Sequence, residues 1–388
     1  MNNRTKRIPS AKVVVAAALV AIVVVVGAWF LMPWPLGGKV SYPPPTPHFA
    51  PRYAITGIAM VRSSLGHLAI NQSGDITGAV ETKKVQKDCC GTSYPILHAA
   101  LWHQGTIMDL GSLGPSESEA TGINARGQVI GVYEVRSGFR GFLWSKGKMK
   151  DLGTLGGQTC TPKAINSSGE IIGSSDIARK TFNENGPGNA IPHAFLWASG
   201  HMTDLTAQAG NVGQDQQTNA EGINDLGLIV GEVDVNGVLW DHGRARHPNM
   251  DDITAVNVQG HYAGDNPDGN VFVAGAKPQK IGNAEGYGSG QTTESSIQVS
   301  AMNASDQVVG SESWYSGRAQ AEGGRGWKKS SGIVWQGGKT WDLNSLIPAN
   351  SGWELEDAQS INDAGWIVGI GKYKGKEQAF LLKPLPGW

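Results

Sequence analysis

The sequence predicts an all-β fold, a β-propeller of seven four-stranded blades that follows one N-terminal transmembrane helix. Three observations predict it. One short motif occurs seven times along the chain, glycine accounts for 54 of the 388 residues, and an uninterrupted apolar run lies near the N-terminus. Charged residues make up only 17% of the chain. A glycine-rich, weakly charged composition is typical of many short strands joined by tight turns.

The repeated motif is represented by GINARGQVIG at 122–131. An Asn-x-x-Gly segment between two apolar runs predicts a hairpin in which the asparagine caps the turn and the last position takes a positive φ. The motif asparagines are Asn71, Asn124, Asn166, Asn224, Asn257, Asn303 and Asn362. The residue three positions later is Gly74, Gly127, Gly169, Gly227, Gly260, Asp306 and Gly365 in turn. The single aspartate fits this prediction, since Asp tolerates the left-handed region better than most residues.

Two further segments recur around each motif, which makes four strands per repeat. An apolar strand that ends in tryptophan follows the motif, and a strand that ends in Asp-Leu follows next. The tryptophans of this third strand, which we expect in the core, are Trp102, Trp144, Trp197, Trp240 and Trp335. The fifth repeat departs most from the pattern, so the sequence leaves its boundaries open.

The position of each strand in a blade follows from side-chain size. The small residues of the Ile-Asn strand suit the crowded centre of a ring, and the Asp-Leu strand is then outermost. The segment YAITGI at 53–58 is the first copy of an outer strand. We therefore expect it to pair with 380–382 and to close the ring by joining the two ends of the domain.

The N-terminus predicts membrane attachment. Residues 1–12 form a basic cytoplasmic segment, 13–33 are long enough and apolar enough to cross a bilayer, and 34–51 are a Pro-rich stalk. The propeller spans 52–383, and 384–388 are a tail. This predicts a single-pass protein of the bacterial cytoplasmic membrane, with the propeller on the periplasmic or extracellular side. The alternative is a cleaved signal peptide and a secreted protein.

The repeats resemble the HAF repeat of bacterial extracellular proteins, named for residues such as His193, Ala194 and Phe195. The segment KDLGTLGGQTCTPKAINSSGEIIG at 150–173 carries the resemblance most clearly, and the resemblance covers nearly all of 52–383. It implies an exported repeat protein with a propeller-like fold. It supplies no catalytic residues, because the repeat signature is structural.

Strand direction predicts that one rim of the ring carries all long connections. The Asn-x-x-Gly turns and the short links after tryptophan emerge on one rim, and the other connections emerge on the opposite rim. All long insertions fall in the second group: 79–98, 174–192, 206–219, 283–298, 311–332 and 344–358. Binding residues usually lie on loops of a rigid scaffold, so we expect a binding surface on this elaborated rim.

Aromatic and basic residues in the loops of the last two repeats are the candidate ligand-binding residues. They are Tyr287, Trp314, Tyr315, Arg318, Arg325, Trp327 and Trp353. Aromatic rings with arginine nearby could stack on sugars or hold a protein hot spot. The structural alternative is that these aromatics pack beneath their own loops.

Other chemistry is weakly supported by the sequence. His98 and His193 occupy equivalent positions in different repeats, which favours a structural role over a metal site. Cys160 could form a disulfide with Cys89 or Cys90, or the adjacent Cys89 and Cys90 could pair with each other. No catalytic motif is found, and no cofactor or metal is expected.

Three functions remain open. The leading hypothesis is a non-enzymatic, membrane-tethered module that binds a protein or polysaccharide of the cell envelope. The second is an enzyme acting on glycans or peptidoglycan at the propeller axis, and the third is a structural envelope protein. A nucleic-acid partner is not expected, because the formal net charge is only -1.

Overall fold

A computed structural model describes residues 52–60, 67–87, 90–114, 117–178, 182–183, 186–187, 191–208, 215–266, 271–274, 278–284, 295–315 and 328–387. The predicted basic segment, transmembrane helix and stalk lie outside these residues. Within them, no helix has the length and hydropathy needed to span a bilayer. The described chain is all-β, with short 3-10 turns at Thr206–Gln208 and Leu343–Ser345.

The all-β propeller with four-stranded blades is confirmed. The described residues form seven four-stranded sheets, named here sheets 1 to 7 in the order of their motif asparagines. Sheet 1 contains β2 (Ala69–Ile70), β3 (Ile76–Lys87), β4 (Ser93–His103) and β5 (Thr106–Gly111). Sheet 2 contains β6 (Ser118–Ile123), β7 (Val129–Val135), β8 (Gly138–Ser145) and β9 (Lys148–Asp151). Sheet 3 contains β10 (Gly156–Ile165), β11 (Ile171–Ile177), β14 (Pro192–Ala198) and β15 (His201–Asp204).

The remaining sheets repeat the same order. Sheet 4 contains β16 (Thr218–Ile223), β17 (Leu228–Val233), β18 (Asn236–Asp241) and β19 (Arg244–Arg246). Sheet 5 contains β20 (Ala255–Val256), β21 (Tyr262–Asp265), β22 (Val271–Ala274) and β23 (Gln279–Ile281). Sheet 6 contains β24 (Ser295–Met302), β25 (Val308–Tyr315), β26 (Lys328–Gln336) and β27 (Lys339–Asp342). A separate two-stranded pair is formed by β12 (Phe182–Asn183) and β13 (Gly186–Pro187).

Sheet 7 joins the two ends of the domain. It contains β28 (Trp353–Ile361), β29 (Ile367–Tyr373), β30 (Lys376–Pro384) and, as its outer strand, β1 (Tyr53–Ile58). Strand β1 pairs antiparallel with β30, with Ile55 opposite Leu382 and Gly57 opposite Phe380. The predicted closure by the N-terminal strand is therefore present, and it pairs β30 on both of its edges.

A ring of asparagine hydrogen bonds links the innermost strands. In each turn the Asn Oδ1 accepts two backbone N–H bonds; Asn224, for example, accepts from Leu226 at 3.0 Å and Leu228 at 2.9 Å. Its Nδ2 donates to the backbone oxygen of the next motif asparagine, Asn257, at 2.8 Å. The same donation runs between every pair of successive motif asparagines, and Asn362 donates to Asn71 at 3.1 Å. The Ile-Asn strands are therefore innermost, as predicted.

The turn geometry matches the prediction from the motif. The fourth turn residue has a positive φ in every copy, from 59° at Asp306 to 87° at Gly169. The links between third and fourth strands are equally tight: Lys146 and Gly147 have φ values of 51° and 79°, a pattern typical of type I′ turns. This side of the ring is named here the Asn-turn rim.

Bulges in the inner strands explain the glycine of the second strand. Five inner strands carry an extra residue, at Thr121, Lys163, Glu221, Ser300 and Gln359. The bulge brings an inner-strand carbonyl close to the glycine opposite. A Cβ on Gly231 would lie 2.0 Å from the Asn219 oxygen, and one on Gly310 would lie 1.9 Å from the Gln298 oxygen. These positions therefore exclude any larger side chain.

A second structural pair links the third and fourth strands. His98 Nδ1 lies 2.9 Å from Asp109, His193 Nδ1 lies 2.8 Å from Asp204, and Arg140 lies 3.0 Å from Asp151. Each of these aspartates also accepts the backbone N–H two residues later. The structural role expected for His98 and His193 is thus to pair with the Asp of the Asp-Leu strand.

The predicted core tryptophans lie between sheets, with different exposure. Trp240 and Trp335 are each 1% exposed and Trp197 is 7% exposed. Trp102 and Trp144 are only partly buried, although both pack against hydrophobic clusters between sheets.

The connections on the two rims differ in length as predicted. On the Asn-turn rim no connection between described strands exceeds five residues, whereas 205–217 on the elaborated rim contains 13. The predicted long insertion at 79–98 is itself formed by paired strands. Strands β3 and β4 continue as a hairpin out to Lys87 opposite Ser93. Segment 311–332 likewise contains paired strands, out to Tyr315 opposite Lys328.

The asparagine ring predicts a large cost for removing one member. Asn224→Ala leaves two turn N–H groups and the Asn257 oxygen without their partner, and we expect it to lower the free energy of unfolding by about 3 kcal/mol. Urea denaturation of the two proteins measures this. The exposed Asn236→Ala should change the free energy by less than about 0.5 kcal/mol. Equal losses in the two variants would show that the ring does not stabilise the fold.

The bulge packing predicts that Gly231→Ala is destabilising by roughly 2 kcal/mol or more, because its Cβ would meet a backbone oxygen that cannot move independently. A matched control is Gly282→Ala, whose Cβ would meet nothing within 4 Å. Thermal and urea unfolding of both variants provides the comparison, and a tolerated alanine at position 231 would contradict this account of the motif glycine.

Candidate binding site at the axial mouth

The inner-strand bulges place polar side chains above the asparagine ring. Each bulged residue lies three positions before a motif asparagine, about 10 Å along the strand toward the elaborated rim. Lys163 Nζ of sheet 3 lies 3.3 Å from Glu221 of sheet 4. Thr121 donates to the Pro162 oxygen at 2.9 Å, and Gln359 accepts from the Leu68 N–H at 2.9 Å. This end of the central axis is named here the axial mouth.

His67 shows that Lys163 faces the axis. Partial desolvation is the main cause that lowers the pKa of His67, although part of its side chain remains exposed to solvent; the positive charge of Lys163 lowers the pKa further, and Asp357 opposes both. His67 precedes sheet 1, Lys163 lies in sheet 3 and Asp357 lies in sheet 7. Sheet 2 separates sheets 1 and 3, so these charges can act on each other only where the inner strands converge.

The side of the mouth formed by sheets 4 and 5 is acidic. Burial raises the pKa of Glu232, and Glu221 and Asp252 raise it further, while a hydrogen bond from Asn219 at 2.8 Å opposes the shift. Burial, Asp252 and Asp251 raise the pKa of Asp265 to about 6. Raised pKa values of this kind arise where carboxylates are partly desolvated and close to other carboxylates. Such a cluster of negative charge attracts cationic groups.

Two of the predicted ligand-binding aromatics are described, and neither is freely exposed. Trp314 in β25 is 7% exposed, which agrees with the structural alternative that this ring packs within its own part of the fold. Trp353 in β28 is partly buried, with its ring centroid 5.2 Å from that of Tyr373 and 6.3 Å from that of Phe380. Both positions extend the strands of their sheets, and extended strands pack their side chains against neighbours.

The other predicted ligand-binding residues remain predictions. Tyr315 is the last residue of β25, but its side chain lies outside the described part of the chain, as do Tyr287, Arg318, Arg325 and Trp327.

The cysteines do not form the predicted bond to Cys160. Cys160 in β10 is fully buried as a free thiol, and burial raises its pKa to about 12. It fills the core between sheets 2 and 3, beside the position where a Gly141 side chain would lie. Cys90 is exposed near the end of the β3–β4 hairpin, and Cys89 lies outside the described residues. Among the described residues, no group of three His, Cys, Asp or Glu side chains could hold a metal ion.

Sequence reasoning missed the axial residues, although the sequence contains a signal for them. The position three residues before the motif asparagine is polar in six of the seven repeats, and Lys163 and Glu221 are its charged members. An alternating inner strand would carry a core residue at some of these positions. A polar residue at one fixed offset indicates a surface shared by all repeats, here the wall of the axis.

Comparison with known proteins gives no family. No family model matches the chain, and no curated protein matches it. Among solved structures, the chain is similar to that described as YCF48 bound to D1 peptide, with 9% sequence identity and a TM-score of 0.48. The likeness covers 88% of this chain and 97% of the other.

The raised pKa of Asp265 predicts a pH-dependent stability difference. Between about pH 4 and pH 6 the folded state keeps a proton that the unfolded state has lost, so this contribution to stability is lost as pH rises through 6. Asp265→Asn removes the charge that is unfavourable above pH 6. Relative to wild type, its free energy of unfolding should rise by about 1 kcal/mol from pH 4 to pH 7, after discounting for partial exposure.

Urea unfolding of wild type and Asp265→Asn at both pH values tests this. In an Asp252→Asn background the pH-dependent difference should shrink, because one of the two carboxylates that raise the pKa is gone. A difference that does not vary with pH would contradict the assigned shift.

Proposed function

We propose that this chain is a membrane-tethered, extracytoplasmic propeller of seven blades and of the HAF-repeat type, which binds a protein or polysaccharide of the cell envelope. The binding surface is the axial mouth together with the hairpins of the elaborated rim. The observation that carries the proposal is the convergence of His67, Lys163, Glu221 and Glu232 around one end of an otherwise regular ring. The asparagine ring stabilises the centre of the fold without these four side chains, so the fold does not require them.

The chemistry of the mouth favours a protein partner over a polysaccharide. A sugar site would be supported by exposed aromatic platforms, whereas Trp314 is buried and Trp353 packs on Phe380. The acidic side formed by Glu221, Glu232 and Asp252 instead complements a basic protein segment. On the same rim, the β3–β4 hairpin of sheet 1 offers the apolar side chains of Val85 and Tyr94, which are 64% and 40% exposed.

The location is supported by the N-terminal sequence. A basic segment at 1–12 before the apolar run at 13–33 favours an N-terminus inside and a propeller outside the cytoplasmic membrane. The Pro-rich segment 34–51 would then hold the propeller away from the bilayer.

An enzyme at the axis is the second candidate, and one observation favours it. Raised carboxyl pKa values beside a lysine are a pattern found in acid–base sites, and Glu232 lies near both Glu221 and Lys163. The ion pair between Lys163 and Glu221 and the hydrogen bond from Asn219 to Glu232 serve binding equally well, so the axial charges by themselves do not require catalysis.

A charge-neutral variant of the mouth tests the proposed function. The full-length chain in detergent or nanodiscs is used to capture proteins from envelope extract and to probe a glycan array. The double variant Glu221→Gln/Glu232→Gln should lose the captured protein by roughly tenfold, because two interfacial charges near a basic segment contribute about 1.4 kcal/mol together. The matched control is Asp241→Asn, an exposed carboxylate on the Asn-turn rim.

Equal capture by both variants would show that the mouth is not the binding surface. Retention of a defined glycan that is independent of Glu221 and Glu232 would favour the polysaccharide alternative. Turnover of a glycan that is lost in the double variant would favour the enzyme.

A further inference from the structure

A cavity of about 230 Å³ lies on the Asn-turn rim, in the wedge between sheets 3 and 4. Its inner wall is apolar, formed by Leu196 and Leu205 of sheet 3 and by Ile229 and Trp240 of sheet 4. Leu226 stands at its mouth with 66% of its surface exposed. The cavity is on the opposite side of the ring from the axial mouth, so it is independent of the proposed function.

The preceding wedge, between sheets 2 and 3, contains a lysine side chain in the equivalent space. Lys150 of sheet 2 lies opposite Leu143 and places its Nζ 5.7 Å from the ring centroid of Trp197 in sheet 3. In sheet 3 the residue equivalent to Lys150 is Thr203, which lies opposite Leu196. The residue equivalent to Trp197 is Trp240. Thr203 lines the cavity and is too short to extend over the tryptophan as Lys150 does, while Gln208 covers the part of the cavity beside Gly243.

The charges at the cavity mouth favour a cation. Glu170 accepts from Asn166 Nδ2 at 2.6 Å, and Asp225 accepts from the N–H and Oγ of Ser167, each at 2.8 Å. Each carboxylate has lone pairs beyond these bonds. The lining residues include no lysine or arginine, and His242 at the outer edge pairs with Asp241 at 2.8 Å. An ammonium group would therefore meet two carboxylates and a tryptophan wall.

We propose that this wedge binds the lysine side chain of a protein partner, in the place that Lys150 takes within the chain one wedge earlier. The methylene groups pack against Leu196, Leu226 and Ile229, and the ammonium group is held near Glu170 and Asp225. A cation beside an indole and carboxylates gains both electrostatic and cation–π attraction. Sheet 2 supplies Lys150 to its own wedge, whereas the shorter Thr203 of sheet 3 leaves the next wedge open to a side chain from outside.

The test is a titration followed by NMR. The indole N–H of Trp240, which donates to the Leu205 oxygen at 3.2 Å, reports on the cavity. The probe is Nα-acetyl-lysine methylamide, and the control probe is the norleucine analogue, which has a similar chain and no charge. The full-length chain should show a saturable shift with the lysine probe and at least tenfold weaker binding of the norleucine probe.

Two reciprocal variants decide whether the repeat position governs the site. Thr203→Lys should fill the cavity and abolish the response at Trp240. Lys150→Thr should open the preceding wedge and give a new saturable response at the Trp197 indole. Lys150→Thr changes only a side chain and removes no backbone contact, so we expect this variant to fold. It therefore tests the proposal even if Thr203→Lys lowers the yield of folded protein.

A third variant examines the charges. Glu170→Gln/Asp225→Asn should weaken the lysine probe at least fivefold and leave the norleucine probe unchanged. Equal affinity for the two probes, or a Trp240 response that survives in Thr203→Lys, would overturn the proposal. So would a wild-type chain that shows no saturable response to the lysine probe.

Discussion

The hydrogen bond from each motif asparagine to the backbone oxygen of the next is the interaction on which the ring depends. One side chain completes its own turn through Oδ1 and joins the neighbouring sheet through Nδ2, as Asn124 does toward Asn166. Seven such bonds return to their starting point, because Asn362 donates to Asn71. A shorter side chain without an amide could accept the turn hydrogen bonds but could not donate to the next inner strand. The longer side chain of glutamine would place its amide too far from the turn. The recurrence of asparagine is thus a consequence of closure.

This constraint divides the molecule into a fixed side and a variable side. The turns on the Asn-turn rim must meet at the axis, so their lengths and φ values are nearly constant. In the inner strands, a bulged residue lies three positions before the motif asparagine. The side chain of that residue is left out of the pairing pattern of the sheet. That freed side chain faces the axis in Lys163 and Glu221. The same bulge requires the facing glycine, so the structural motif and the axial residues arise from one local geometry.

The repeat was predictable from sequence because its signals are local. Asn-x-x-Gly specifies a turn, and the strand order follows from side-chain size, so even the pairing of Tyr53–Ile58 with β30 could be expected. The axial charges were not predicted, because the alternation of polar and apolar residues along a strand does not reveal a bulge. In a strand without a bulge, Lys163 and Glu221 would belong to a face that points into the core. The burial of Trp314 could not be decided from sequence for a related reason: the hairpin continues as paired strands beyond the repeat unit, and its side chains pack accordingly.

Positions that vary between the sheets are informative, because the fold accepts different side chains there. The residues equivalent to Lys150 in the other sheets are Met108, Thr203, Arg246, Gln279, Trp341 and Thr56. Where the wedge position holds Lys150, the lysine covers a tryptophan, and the wedge is filled from within. Threonine at position 203 cannot reach that far, and the fold tolerates the resulting space because Leu205 and Trp240 remain buried at its base. The cavity in this wedge therefore reflects the side chain at one position that the fold leaves open to variation. In a ring whose stability comes from its asparagines, such positions are free to change, and they are the places where a binding function can be added without loss of closure.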